Sequence, residues 1–173
     1  MSYLRYLLFF FLAQSLAASA FASISEDEEK VRYLMAFYSM GEWPQQRPQD
    51  VLNICTLGHG QMNNALKRWE FQNRNTHPNL RFPTPSTLRL LRECQIVFIG
   101  EREQPQNKAI IAEIGDAPVL TATDSPRIVD TMLTFAVEGN KLVFDVNLPR
   151  IDRAKLRFDP MLLNEARIAK TKN

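Results

Sequence analysis

Residues 92–100 read Arg-Glu-Cys-Gln-Ile-Val-Phe-Ile-Gly (RECQIVFIG). Ile96-Val97-Phe98-Ile99 shows no apolar/polar alternation, is too short for a helix and closes on Gly100, the pattern of a strand buried on both faces. Upstream, Val51-Leu52-Asn53-Ile54-Cys55-Thr56-Leu57-Gly58 is a second run of the same kind. A helical pattern separates the two, which is the order of a parallel pair joined by a crossover. The two cysteines of the chain, Cys55 and Cys94, sit in these two runs.

Outward from this pair, Ser25 and Glu28 form a capping box, and the acidic run Glu26 to Glu29 suits the positive end of a helix reaching Met40. That helix carries two apolar stripes, Val31-Leu34-Met35-Tyr38 and Tyr33-Phe37-Met40. Two-sided apolarity requires cover on two sides, either within the domain or by a partner. Gln61 to Phe71 is the crossover helix, Leu80 to Phe82 a short strand, and Ser86 the cap of a short helix through Leu91. Pro105 to Ile114 reads as another helix and Pro118 to Ala122 as a third core strand, followed by a helical turn at Ile128 to Met132. Thr134 to Val137 and Leu142 to Val146 flank Gly139-Asn140, a hairpin signal. A last helix starts at the cap Asp159 with Pro160 first, and carries Leu162, Ala166 and Ala169 on one side. The expected fold is an α/β, three-layer-like domain with a mainly parallel central sheet plus a C-terminal antiparallel hairpin.

The amino terminus reads as a secretory signal peptide over residues 1–22, with Arg5, the apolar Leu7 to Leu12 and a small-residue site ending at Ala22. The competing reading, an uncleaved anchor, needs about 20 apolar residues, and Gln14, Ser15 and Ser19 interrupt this one. Removing 22 of the 173 residues leaves a single domain over residues 23–173, and loss of Arg5 lowers the net charge from +2 to +1. That balance, with no basic run, argues against a nucleic-acid partner and against electrostatic attraction to a membrane surface. No later stretch is long and apolar enough for membrane insertion after cleavage, and export permits disulfides.

Catalytic and metal chemistry find little support. Gly58-His59-Gly60 between strand and helix resembles the start of a dinucleotide loop, but Asn63 stands in place of the third glycine. His59 and His77 are isolated, Asp124-Ser125 before Pro126 is first of all a turn, and no cysteine or histidine pair has metal-ligand spacing. No cofactor, metal or catalytic group is implied, and the chain is not expected to be an enzyme.

Val31-Arg32-Tyr33-Leu34 through Phe37, Glu42-Trp43-Pro44, Ile54-Cys55-Thr56-Leu57-Gly58, Glu93-Cys94-Gln95-Ile96-Val97-Phe98-Ile99, Val119-Leu120-Thr121 with Asp124-Ser125, and Phe144-Asp145-Val146-Asn147-Leu148 together resemble the YfiR family. The likeness continues through Ala154, Leu156, Leu162 and Leu163 to Ala166-Arg167. It implies a periplasmic regulator that binds and inhibits the periplasmic sensor domain of an inner-membrane diguanylate cyclase, with an outer-membrane lipoprotein as a possible second partner. The alternative is a periplasmic small-molecule-binding sensor module, using the crevice near Gly58, Gly100 and Thr121 to Asp124.

Under that resemblance Cys55 and Cys94 match a disulfide pair of the family, and the oxidising compartment favours the bond over two buried thiols. No cysteine follows Cys94, so the second pair of the best-known member has no counterpart. A homodimer is expected through part of Tyr33, Phe37, Met40 and Trp43. Arginine beside large apolar groups marks Trp43, Arg153, Phe158 and Met161 as expected contacts for the cyclase domain.

Overall fold

In the computed structural model the described residues are 25–44, 51–58 and 60–168. The signal peptide, His59 and Ala169 lie outside them. Helix α1, Glu26–Ser39, starts on the expected capping box, with Ser25 Oγ accepting from the Glu28 amide and the Glu28 carboxylate accepting from the Ser25 amide. The chain continues through β1 (Gly41–Glu42), β2 (Leu52–Leu57), α2 (Gln61–Asn73), β3 (Leu80–Arg81), a 3-10 helix at Leu88–Glu93 and β4 (Ile96–Ile99). A second 3-10 helix, Glu101–Gln106, runs into α3 (Asn107–Ile114), and then come β5 (Leu120–Thr123), β6 (Leu133–Glu138) and β7 (Lys141–Val146). The end comprises α4 (Leu148–Arg153), β8 (Arg157–Phe158), α5 (Pro160–Asn164) and β9 (Arg167–Ile168).

Seven strands form one sheet in the order β3-β2-β4-β5-β6-β7-β9. The first five are parallel; β7 is antiparallel to β6, and β9 parallel to β7. The expected pair of buried strands are direct neighbours, with Ile54 opposite Ile96 and Leu57 opposite Ile99. All four residues of β4 are buried, because helices cover both faces. Over one face lie α1, α2 and the C-terminal elements, through Val31, Leu34, Phe37, Leu66, Leu156 and Phe158. Over the other lie the first 3-10 helix and α3, through Leu91, Ile110 and Ile114. In β5 the buried threonines are satisfied: Thr123 Oγ1 donates to the Ile99 carbonyl at 2.8 Å, and Thr121 Oγ1 accepts from the Met132 amide at 3.0 Å.

The hairpin has the expected two-residue turn, Glu138 pairing with Lys141 across Gly139-Asn140. Gly139 takes φ +60° there, which a side chain would disfavour. Gly41 is needed for a different reason. A Cβ on it would lie 2.5 Å from the Phe37 carbonyl oxygen and the Trp43 ring and 2.7 Å from Phe158, so a two-stranded ribbon, Gly41 opposite Phe158, closes over the first core only with glycine.

Three expectations differ. The short helix expected from Ser86 through Leu91 is present but shifted: it is 3-10, spans Leu88–Glu93 with Thr87 rather than Ser86 at its N-cap, and ends on Cys94, whose amide donates to the Leu91 carbonyl. Ile128 to Met132 forms no helical turn: Leu133 pairs with Ala122 at the end of β5, so the link covers little distance and needs none. The last helix stops at Asn164, because Arg167 turns into a strand beside β7. Its guanidinium makes two 2.8 Å bonds to the Asp145 carboxylate and also meets Glu138.

Candidate functional site

Helix α1 settles how its two stripes are used. Lys30, Val31, Leu34 and Phe37 are its buried residues, so the inward face takes members of both stripes. Phe37 meets Phe144 and Phe158 edge to face at 5.5 and 5.1 Å between centroids, and Phe158 does the same with Trp43 at 5.8 Å. Trp43 Nε1 also donates to the Gln95 carbonyl at 3.1 Å. Phe37, Trp43 and Phe158, expected at contact surfaces, are therefore core residues: edge-to-face packing and a satisfied indole hold them inside.

What remains outward of α1 lines a groove of about 490 Å³. Tyr33, Tyr38 and Met40 form its floor, Trp69 of α2 one wall, and Met161 and Glu165 the other. The buried aromatics build it from behind. Phe158 packed on Phe37, together with the Asp159 amide donating to the Met40 carbonyl at 3.1 Å, brings α5 alongside the end of α1. Met161 is 73% exposed there, and Met40 is half-exposed. Burial, then the charges of Glu165 and Glu29, raise the Tyr33 phenol above its ordinary value; burial alone raises Tyr38. Of the expected contacts, the groove brings together Tyr33, Met40 and Met161. Arg153 is elsewhere, pairing with Asp116 at 3.5 Å. Sequence reasoning missed Tyr38, Trp69 and Glu165, which come from segments that periodicity assigns to ordinary helix faces.

A second concavity of about 350 Å³ lies beyond the carboxyl ends of β2, β4 and β5. It is the expected crevice: β3 lies on one side of β2 and β4 on the other, so the chain reverses direction across the sheet there. Asp124, which lines it, is engaged in an ion-pair cluster. It takes a 2.6 Å bond from the Lys30 ammonium, which also meets Glu26 at 2.7 Å and Asp27 at 3.3 Å. Burial pushes the ammonium's pKa down, but the bonds to Asp124 and Glu26 outweigh that and leave it raised. His77 packs against Trp69 with the rings tilted, 5.1 Å between centroids, and shares a hydrogen bond with Thr76. Among the described residues no cluster of His, Cys, Asp or Glu has the makeup of a metal site.

Cys55 and Cys94 are joined in a disulfide, Cα to Cα 5.9 Å, within the second core. Cys94 is not itself in a strand: it closes the first 3-10 helix, two residues before β4, and the bond ties that turn to β2.

The YfiR/HmsC-like family model matches residues 27–167, almost all of the described chain. The chain belongs to the YfiR/HmsC-like family. This family regulates diguanylate cyclases, is regulatory rather than catalytic, and is periplasmic. Among solved structures, the chain resembles the crystal structure of a conserved domain protein from Vibrio cholerae O1 biovar El Tor str. N16961, with a TM-score of 0.58 at 10% identity. The superposition covers 84% of this chain and 60% of that one, a likeness of fold. No helix among the described residues of this YfiR/HmsC-like chain is long and apolar enough to cross a membrane.

Proposed function

We propose that this chain is an exported, non-enzymatic regulator of a single domain that binds the periplasmic sensor domain of an inner-membrane diguanylate cyclase and inhibits it, lowering cyclic di-GMP. The observation that carries this reading is the groove beside α1. Aromatic rings, two exposed methionines and one charge of each sign at Arg32 and Glu165 are the composition of an interface hot spot with an adaptable surface. In the same reading Tyr33 and Met40 also serve a homodimer, with an outer-membrane lipoprotein as a competing partner; sedimentation of the purified protein as a monomer would remove the dimer.

Co-expression with a candidate membrane cyclase, reading cyclic di-GMP, tests the function. Met40→Glu and Met161→Glu change exposed side chains and leave the core intact, so both variants are expected to fold and to lose repression and binding of the cyclase domain. Folded variants that repress normally would move the interface elsewhere, with Arg153→Glu as the next variant. The crevice at the ends of β2, β4 and β5 favours the second reading, a small-molecule sensor. A ligand that raises the melting temperature without altering cyclase binding would support it.

A further inference from the structure

The outer face of α2 has a composition that neither the groove nor the core explains. Phe71 is 68% exposed. The Arg74 guanidinium sits 4.3 Å from the centre of its ring, and Lys67 and Arg68 are exposed one turn earlier. A shallow recess of about 350 Å³ runs between Asn64, Lys67, Arg68 and Phe71. Past the end of the helix, Arg74 and Arg81 line a second, of about 260 Å³. From Gln61 to Phe82 the chain carries four cations and one carboxylate, Glu70; Glu28 of α1 reaches in to Arg68 at 3.3 Å. None of these cations lines the groove, whose own cation is Arg32 of α1.

We infer that this face is a peripheral docking surface for the anionic phospholipid headgroups of a membrane. Lysine and arginine around a surface supply the attraction, roughly independent of one another. An exposed aromatic among them suits the boundary between headgroups and acyl chains, where a ring is half desolvated while its charged neighbours stay among phosphates. A protein partner fits less well: the recess beside Phe71 is otherwise lined by Asn64, Lys67, Arg68 and Gln72, with no second apolar side chain to build a desolvated centre. Near-neutral net charge is compatible with this, because the fold gathers on one side cations that composition averages away. Docking here is peripheral and requires no insertion of a helix. It is independent of the cyclase reading, since Lys67, Arg68, Phe71 and Arg74 do not line the groove beside α1.

The test is flotation of the purified protein with phosphatidylglycerol/phosphatidylethanolamine vesicles and, separately, with phosphatidylcholine vesicles. Wild type is expected to float with the first and not the second, and to be released by high salt. The double variant Lys67→Glu/Arg74→Glu should bind the anionic vesicles at least about tenfold more weakly, and Phe71→Ala several-fold more weakly, roughly as one lost apolar contact. Each site is exposed, and circular dichroism verifies folding. Equal partition between the two vesicle types, or a folded charge-reversed variant that binds like wild type, would overturn the assignment. Retention on immobilised polyglutamate without vesicle binding would also overturn it, by assigning the face to an acidic protein.

Discussion

The two faces of the central sheet are stabilised by different means. On one, α1, α2 and the C-terminal elements enclose Phe37, Phe135, Phe144, Phe158 and Trp43, a core of aromatic rings meeting edge to face. On the other, Leu91, Val97, Ile99, Ile110 and Ile114 form a smaller aliphatic core with no aromatic ring, closed by the Cys55–Cys94 bond. The larger core draws its stability from area and ring geometry. The smaller one bounds the 3-10 turn Leu88–Glu93, which has no side-chain cap, and a covalent tie compensates for that local weakness. The groove is built on the aromatic side, where Leu162 belongs to both the groove lining and the core.

This contrast can be broken most strongly at Phe37. Phe37→Ala is expected to cost about 3–5 kcal/mol, read by urea unfolding, and to lower cyclase binding as well, since Phe37 holds α5 beside α1 through Phe158. Loss of stability with unchanged binding would separate groove from core.

A somewhat smaller effect is expected at the disulfide. The bond joins residues 39 apart in sequence, and reduction, or Cys55→Ala/Cys94→Ala, should cost about 2–4 kcal/mol. The aromatic groove lies on the other face, so the reduced protein at a temperature where it stays folded should still bind its partner. Intact mass before and after reductant with alkylation checks the bond itself; two alkylatable thiols in the native protein would refute it.

The smallest expected effect sharpens the comparison at the edge of the aromatic side, where Lys30 ties the first turn of α1 to Asp124 after β5. The Lys30 pKa is raised in the folded state, so its contribution is fully present below the lysine value of the unfolded chain and is lost as pH rises through the folded value. Its partners are part-exposed, which holds the cost of Lys30→Met to about 1–2 kcal/mol. Unfolding midpoints measured from neutral to strongly alkaline pH should fall more steeply for wild type than for Lys30→Met. Parallel curves would show that the cluster contributes nothing.

The amino-acid sequence by itself determined the parallel centre of the sheet, the capped start of α1, the Gly139-Asn140 hairpin and the half-cystine pair. The apolar runs, the cap and the turn are written locally, in physics that acts within a few positions, whereas the half-cystine pairing follows from the chain's having two cysteines and from the family resemblance. Only the tertiary structure decided which face of α1 turns inward. Both stripes satisfy helical periodicity; Phe144 and Phe158, more than 100 residues away in the chain, take Phe37 fully into the core, while Tyr33 packs edge to face on Phe144 and stays only partly buried and Met40 is exposed. The same nonlocal choice withdraws Trp43 and Phe158 from the surface and replaces the expected end of the last helix with β9, through the pairing of Arg167 with Asp145. It also gathers Lys67, Arg68 and Arg74 around Phe71 on a nearly neutral molecule, an arrangement that net charge cannot express because it sums over positions without placing them in space.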